Sequence, residues 1–268
     1  MYTLQPAAHY TSAELAELFN RGFEDYFVPI SFTPESIPIF IQRDEIDLSL
    51  SRVVLHEKQP VGLGFIAKRG TQSRLATMGV IKDYRGKGVG SYLVQQLLDE
   101  ARARNEQQML LEVIYQNDPA VHLYQKFGFT KMRRLYGFLV GNPAGEPDDG
   151  LATCHLNLVL EKAEEYALPN LPWQVDAETL RKNPAGAFGF MLGKSYVAIS
   201  DPEREHIVIR LLLSEDRGER ALLKALFSKY PTKIWHVPAI FPEEQAEIFE
   251  NVDMQKDDIS QWQMVVDL

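Results

Sequence analysis

The chain contains 268 residues, more than one domain usually has, and 45% of them are hydrophobic, so two domains with separate cores are expected. The formal net charge of −9 disfavours general binding to nucleic acid or to anionic membranes. The single cysteine, Cys154, excludes an intramolecular disulfide. No apolar run reaches the roughly 18 residues that span a bilayer and no signal peptide is recognised, so we expect a cytoplasmic protein.

The first part of the chain alternates between strand and helix patterns. Thr11 and Ser12 are suited to cap the first helix, and the apolar face of a later helix recurs from Leu93 to Ala101. In chain order the predicted elements are a strand at 3–6, helices from 11 and from 33 to 41, strands at 52–56, 61–67 and 74–81, a helix at 91–104, a strand at 108–116, a helix at 118–127 capped by Asp118, and strands at 131–140 and 151–160.

The remainder of the chain repeats this order after a proline-containing linker at 166–172. Its predicted elements are a helix at 177–181, strands at 188–192, 196–200 and 206–213, a helix at 217–229, a strand at 233–237, a helix at 243–251 and a strand at 261–266. The repeated order predicts that the two parts have similar cores.

The stretch from Met78 to Ser91 predicts an anion site, because a strand runs into a turn with three glycines and a helix follows at once. Glycines let backbone N–H groups approach a ligand closely, and the helix adds its positive dipole end. Arg85 and Lys87 add full charges. The turn is neither a Walker A loop, since no Gly-Lys-Ser or Gly-Lys-Thr closes it, nor a dinucleotide fingerprint. A plain strand-to-helix connection is the structural alternative.

Two sequence blocks resemble the GCN5-related N-acetyltransferases, which transfer an acetyl group from acetyl-CoA to an amine. They are Val80 with Arg85-Gly86-Lys87-Gly88-Val89-Gly90, and Asn117, Ala120, Leu123-Tyr124 and Phe127-Gly128-Phe129. Lys82 departs from the pattern, because many members have proline there. The resemblance implies an α/β fold with a mixed, mostly antiparallel sheet flanked by helices. It also implies two similar domains, an acetyl-CoA-binding domain at 1–162 and a degenerate copy at 163–268.

The resemblance also implies a set of cofactor-binding residues. The backbone of Met78 and Val80 would pair with the pantetheine arm, backbone N–H groups of the turn would hold the pyrophosphate, and Asn117 would bond the pantetheine. The implied residues are Met78, Val80, Arg85, Gly86, Lys87, Gly88, Val89, Gly90, Ser91, Asn117 and Tyr124.

Tyr124 is implied to be the general acid for the departing thiolate. A tyrosine with a pKa of about 10 can transfer its proton to a thiolate of comparable basicity when the two groups are hydrogen-bonded. The structural alternative is an aromatic side chain that packs on the sheet.

Glu112 is the leading candidate for the general base, because it interrupts an otherwise apolar strand. The alternative is a carboxylate that faces solvent or a salt-bridge partner on an exposed part of the sheet. Asp25, Asp44 and Glu45 are further candidates for recognising or deprotonating a cationic substrate, with solvated helix-face charge as their alternative.

The second part lacks a phosphate turn at the equivalent position. The segment from Ser214 to Arg220 has one glycine and three carboxylates, and the helix at 243–251 has Ile248 and Phe249 in the region where a tyrosine would be needed. Carboxylates repel phosphate strongly in a partly dry site, so this part is not expected to bind CoA. Structural support, a wall of the substrate site and homodimerisation are its predicted roles.

The sequence therefore predicts an N-acetyltransferase that moves the acetyl group of acetyl-CoA to an amine by direct attack of that amine. The amine of a small molecule is the preferred acceptor. Acetyl-CoA is the predicted cosubstrate, and no metal is expected because the six histidines have no metal-ligand spacing. Three alternatives are a protein or peptide amine acetyltransferase, a non-catalytic acyl-CoA binder or sensor, and a nucleotide-binding oxidoreductase.

Overall fold

The computed structural model describes all residues, 1–268, and the chain divides into two compact units. The first unit comprises Met1–Val113, Asn117–Met132 and Gln263–Leu268, and the second comprises Ile114–Gln116 and Arg133–Trp262. The main division therefore falls at 132/133 and not at 162/163, and the first unit includes the last six residues. The assignment of 1–162 and 163–268 to an active and a degenerate domain stays a prediction.

The first unit has a mixed sheet flanked by helices. Its elements are β1 (Tyr2–Pro6), α1 (Ser12–Gly22), α2 (Ser36–Arg43), β2 (Ile46–His56), β3 (Gln59–Arg69), β4 (Gln72–Val80), α3 (Val89–Ala103), β5 (Gln108–Ile114), α4 (Asp118–Lys126), the start of β6 (Thr130–Gly141) and the end of β12 (Gln255–Asp267), with short 3-10 helices at Ala7–His9 and Lys82–Tyr84. Strands β1 to β4 pair antiparallel in sequence order, and β4 pairs parallel with β5. This is the predicted mixed, mostly antiparallel sheet.

The second unit contains the rest of β6 and β12 and repeats the same order of elements. Its other elements are β7 (Ala152–Cys154), α5 (Leu156–Tyr166), α6 (Ala177–Lys182), β8 (Phe188–Leu192), β9 (Ser195–Ile199), β10 (His206–Ser214), α7 (Glu219–Lys229), β11 (Ile234–Pro242) and α8 (Ala246–Glu250), with 3-10 helices at Trp173–Val175 and Glu243–Gln245. Strands β7 to β10 are antiparallel and β10 pairs parallel with β11, as β4 does with β5.

Local sequence signals explain the starts of α1 and α4 and the buried face of α3. Thr11 and Glu14 form a capping box at the start of α1, and this cap confirms the predicted boundary. Leu93, Leu97 and Ala101 of α3 are all at most 1% exposed, so the predicted apolar face is buried. The cap of α4 is Asn117, one residue before the predicted Asp118, because the Asn117 side chain accepts the Ala120 N–H at 3.3 Å.

The strand predicted at 151–160 is wrong over most of its length. Only Ala152–Cys154 is a strand, and α5 begins at Leu156 after the His155 side chain accepts the Asn157 N–H. Val159, Leu160 and Ala163 of α5 are buried, and their spacing is helical. The strand prediction took the apolar residues of 151–160 together and overlooked their helical spacing. No helix of the structure combines the length and apolarity that a membrane span needs.

The last strand, β12, completes the sheet of the first unit beside β5. The Gln108 Nε2 group donates to Asp267 Oδ1 at 2.9 Å, and the Leu268 N–H donates to the Gln107 carbonyl at 2.9 Å. Met264 is 0% exposed and Val266 is 7% exposed, so this end of β12 contributes buried apolar surface.

Met264→Ala is expected to lower the free energy of unfolding by about 2–5 kcal/mol, because it leaves a cavity in a close-packed region. Urea denaturation would measure the change. Asp267→Asn is the matched control on the exposed face of the same strand, because it keeps the Oδ1 atom that accepts from Gln108, and its effect should stay within about 0.5 kcal/mol. Equal, small effects of both variants would contradict a structural role for this end of β12.

Candidate functional site

A cleft of about 620 Å³ lies in the first unit. Four segments line it: the end of α1 with the loop that follows, the end of β4, the glycine turn and the start of α4. The lining residues include Asp25, Tyr26, Met78, Val80, Tyr84, Arg85, Gly86, Gly88, Gly90, Ser91, Asn117 and Ala120. The volume is within the range of small-molecule and cofactor sites.

One edge of β4 is open to this cleft. Met78 and Val80 pair with Gly64 and Gly62 of β3 on one side. On the other side, the pairing of β4 with β5 ends at Leu75 and Leu111, so the two strands separate before Met78. An extended ligand arm with amide groups can add to such an edge as an extra strand.

The glycine turn places uncapped backbone N–H groups at the start of α3. Gly86 and Gly88 have φ values of +72° and +88°, a region that side-chain-bearing residues rarely adopt. An added Cβ at either position would meet nothing within 4 Å. Helix α3 has no side-chain cap and no acidic residue in its first turn, so its dipole end and first N–H groups are available to an anion. The turn therefore fits a pyrophosphate.

Arg85 and Lys87 differ in their contacts. The Arg85 guanidinium donates to the Val80 carbonyl and to the Gly22 and Glu24 carbonyls, each at 3.0 Å. Its side chain thus holds two walls of the cleft together, whereas the sequence suggested a charge for phosphate. The exposed Lys87 ammonium lies 5.4 Å from the centroid of the Tyr84 ring. Unlike the Arg85 guanidinium, it does not bond backbone carbonyls of the cleft.

Tyr124 is 7% exposed, packs against Phe129 with ring centroids 5.7 Å apart, and does not line the cleft. Burial and the nearby Tyr26 raise the pKa of Tyr124 well above its usual value. The phenol is therefore protonated at neutral pH and can donate a hydrogen bond. The same rise makes full proton transfer harder, so the role as general acid stays a prediction.

Tyr26 is a cleft residue that the sequence did not single out. It follows α1 and lines the cleft together with Asn117. Burial raises the pKa of Tyr26, and a hydrogen bond from the Asn117 side chain opposes that rise. Tyr26 lies in a phenylalanine-rich segment, and the number of aromatic residues in this segment predicted a core position. The hydroxyl of Tyr26 was the available signal for a cleft position, because a core position does not need a hydroxyl.

The structure does not bring Glu112 to the cleft. Its Oε2 atom accepts from Arg74 Nε at 2.8 Å, and the two side chains are 5% and 3% exposed. Asp44 lies 3.6 Å from the same guanidinium and is 6% exposed. Glu112 therefore has a salt-bridge partner, as the alternative prediction allowed, but the pair is buried and does not lie on an exposed part of the sheet. Glu45 likewise pairs with Arg69.

Asp25 is the only acidic residue among those that line the cleft. It pairs with Lys82 at 2.7 Å, and the hydrogen bond from Lys82 lowers the pKa of Asp25. A carboxylate with a lowered pKa is a weak base, so Asp25 is poorly suited to remove a proton from an amine.

The corresponding turn of the second unit is filled by its own side chains. Asp216 accepts the Gly218 N–H at 3.2 Å and the Ser214 hydroxyl at 2.9 Å, so a carboxylate lies before α7. Glu215 pairs with Lys162 at 2.9 Å, and this contact lowers the pKa of Glu215. These contacts agree with the expectation that this turn does not bind CoA.

The chain is similar to known acetyltransferases. Residues 13–129 match the model of the Acetyltransferase (GNAT) family. N-alpha-acetyltransferase 30 of Schizosaccharomyces pombe is 36% identical over 72 residues, which are 26% of this chain and 48% of that protein. Streptothricin acetyltransferase of Streptomyces lavendulae is 42% identical over 51 residues, which are 19% of this chain and 27% of that protein. The chain therefore spans less than half the length of either relative.

The fold of the whole chain also has a solved counterpart. A GCN5-related N-acetyltransferase from Sphaerobacter thermophilus matches 99% of this chain and 95% of its own chain with a TM-score of 0.72 and 14% identity, which shows a shared fold. The family match covers α1 to α4, and these elements hold the open strand edge, the glycine turn and Asn117. Residues 13–129 of this chain therefore match the GNAT acetyltransferase family, and these residues include all those that line the cleft.

Proposed function

We propose that the protein transfers the acetyl group of acetyl-CoA to an amine. The amine of a small molecule is the first candidate acceptor. The observation that carries this proposal is the joint presence, in one cleft, of an uncapped helix start after a glycine turn and of an open strand edge. The helix start suits a pyrophosphate and the strand edge suits an amide-containing arm, and CoA has both groups.

The proposed reaction is direct attack by the neutral amine on the thioester carbonyl. A carbon–nitrogen bond forms, the carbon–sulfur bond breaks, the nitrogen loses a proton and the thiolate gains one. Donors near the carbonyl oxygen would stabilise the tetrahedral intermediate. Tyr124 is our candidate for the proton donor to sulfur, because its phenol is protonated at neutral pH.

A peptide amine is the second candidate acceptor. The observation that favours it is the similarity to N-alpha-acetyltransferase 30, whereas the similarity to streptothricin acetyltransferase favours a small molecule. The cleft has aromatic residues Phe23, Tyr26 and Phe27 on one wall, which suits an apolar group beside the amine in either class of acceptor.

Thermal unfolding with acetyl-CoA and with NAD tests the cosubstrate. A ligand at about 100 times its Kd should add roughly 2.7 kcal/mol of stability. Thiol release from acetyl-CoA, measured over small amines, lysine peptides and peptides with free or blocked N-termini, then identifies the acceptor class. Stabilisation by NAD alone would contradict the proposal, and stabilisation by acetyl-CoA without turnover would favour the non-catalytic binder.

The pH dependence of kcat/KM should follow the pKa of the acceptor amine. Asp25 is the only acidic residue that lines the cleft, and its pKa is lowered, so it is a weak base. The reactive amine is the neutral form, so kcat/KM should rise with pH and level off near the amine pKa. This limit is about 8 for a peptide N-terminus and about 10.4 for a lysine-type amine. A common limit for two such acceptors would instead indicate a base on the enzyme.

A further inference from the structure

We propose that Tyr2 is a positioning residue for the glycine turn. Its hydroxyl holds the Lys87 carbonyl, and this contact directs the Gly88 N–H into the cleft, to an oxygen of the pyrophosphate. The inference rests on the proposed binding of acetyl-CoA. It assigns a role in cofactor binding to a residue of β1, which lies 85 positions before Lys87 in the chain.

The contact between Tyr2 and the turn is a direct hydrogen bond. The Tyr2 hydroxyl donates to the Lys87 carbonyl at 2.9 Å. The hydrogen bonds of α3 begin one residue later, because the Tyr92 N–H donates to the Gly88 carbonyl at 2.9 Å. The Lys87 carbonyl therefore lies outside the hydrogen-bond ladder of the helix, and the Tyr2 hydroxyl supplies its donor.

The Lys87–Gly88 peptide relates this contact to the cleft. The chain has no cis peptide bond, and the C=O and N–H groups of a trans peptide point in opposite directions. The Lys87 carbonyl points to Tyr2, so the Gly88 N–H points away from Tyr2. Gly88 lines the cleft, whereas Tyr2 and Lys87 do not. The N–H is thus directed to the side on which a ligand would bind.

The orientation of this peptide needs support because glycine does not fix it. Gly88 has φ of +88°, but glycine adopts positive and negative φ about equally readily. A rotation of the peptide that exchanges its C=O and N–H groups would therefore meet little resistance at Gly88. The freedom that lets the turn approach a ligand closely also lets its N–H turn away. The hydrogen bond from Tyr2 favours the orientation that binds an anion.

Tyr2 is itself held by neighbouring elements. It lies on β1 and pairs with His56 of β2 in the antiparallel register. The centroid of its ring lies 5.5 Å from that of His56 and 5.8 Å from that of Tyr92. A hydroxyl on a ring with these contacts is in place before the ligand arrives, so it can orient the peptide without a large loss of conformational entropy on binding.

The first test measures two affinities by isothermal titration calorimetry. 3′-Phospho-ADP is the half of CoA that contains the pyrophosphate, and acetyl-CoA contains the same group together with the arm. In Tyr2→Phe we expect both Kd values to rise by the same factor, about 3- to 10-fold, because one hydrogen bond that holds the peptide is lost. Tyr10→Phe is the matched control. It removes a hydroxyl that bonds Gln5 at 2.8 Å outside the cleft, and it should leave both affinities unchanged.

The second test observes the peptide directly by NMR. Lys87 and Gly88 form the only Lys-Gly pair in the sequence. Labelling of lysine carbonyls with ¹³C and of glycine amides with ¹⁵N therefore gives a single carbonyl–amide correlation. In Tyr2→Phe we expect its carbonyl frequency to change more than in Tyr10→Phe, because the carbonyl loses its donor. Saturating 3′-phospho-ADP should move the Gly88 amide proton resonance downfield in the wild type, because a phosphate oxygen accepts from this group.

The outcomes distinguish the inference from the proposed function. Changes in Kd no larger than those of Tyr10→Phe would overturn the inference, as would weaker binding with an unchanged Lys87 carbonyl frequency. A loss of affinity for acetyl-CoA alone would assign the effect to the arm and would overturn it as well. So would a Gly88 amide resonance that does not respond to bound 3′-phospho-ADP. A wild-type protein that binds neither ligand would contradict the proposed function itself.

Discussion

Replacing Gly86 with aspartate is expected to weaken acetyl-CoA binding by at least about 100-fold, or about 2.7 kcal/mol. The new carboxylate would lie two residues before the cap of α3, as Asp216 lies two residues before the cap of α7. Like charges about 4 Å apart repel by roughly 4 kcal/mol at an effective dielectric constant of 20. The carboxylate would also take the backbone N–H groups that a pyrophosphate needs.

Gly86→Asn is the matched control for this variant. Gly86 has φ of +72°, so either replacement introduces the same backbone strain, and asparagine and aspartate tolerate this region better than most residues. Asparagine has nearly the same shape but no charge, so it should weaken binding far less. Calorimetric titration with acetyl-CoA would measure both. Equal losses would show that strain, and not an anion site, explains the effect.

Replacing Glu112 with leucine is expected to lower the free energy of unfolding by about 3–5 kcal/mol. The change leaves the guanidinium of Arg74, which is 3% exposed, with only the more distant Asp44 as a counter-charge. A buried charge that loses its partner keeps its desolvation cost. Urea denaturation followed by circular dichroism would measure the loss.

The double variant Arg74→Met/Glu112→Leu should recover much of this stability, because both buried charges are then removed. Glu112→Gln provides a separate test of catalysis, since it keeps the shape and can still bond Arg74. If the folded Glu112→Gln protein lost the pH dependence of acetyl transfer, Glu112 would be the general base after all. We expect its pH profile to match that of the wild type.

Elements whose signals are local could be predicted from the sequence. The capping box of Thr11 and Glu14 and the apolar face of α3 each lie within a few residues, so they were readable without the fold. The start of α5 was missed because Leu156, Val159 and Leu160 also suit a strand when only their apolar character is read. The burial of Val159 and Ala163 along one helix face is a tertiary fact.

The candidate site also combines features that the local sequence predicts with contacts that only the fold shows. The glycine turn could be found, and the cap of α4 could be found to within one residue, because backbone conformation and helix starts depend on adjacent residues. The sequence did not show the structural contacts of Arg85, whose side chain bonds carbonyls of Gly22 and Glu24, more than 60 positions earlier in the chain. No local pattern shows which distant carbonyls a guanidinium will meet.

The sequence by itself determined the resemblance to acetyltransferases and the prediction of an anion site, because a strand, a glycine turn and a helix in succession are typical of a phosphate-binding geometry. Only the tertiary structure decided the roles of the side chains. Glu112 lies beside Arg74, 38 positions away, because β4 and β5 pair in parallel. Tyr26 reaches the cleft because its loop is bonded to the glycine turn. Electrostatic partners and cleft walls depend on which segments pack together, and this is set by the whole fold.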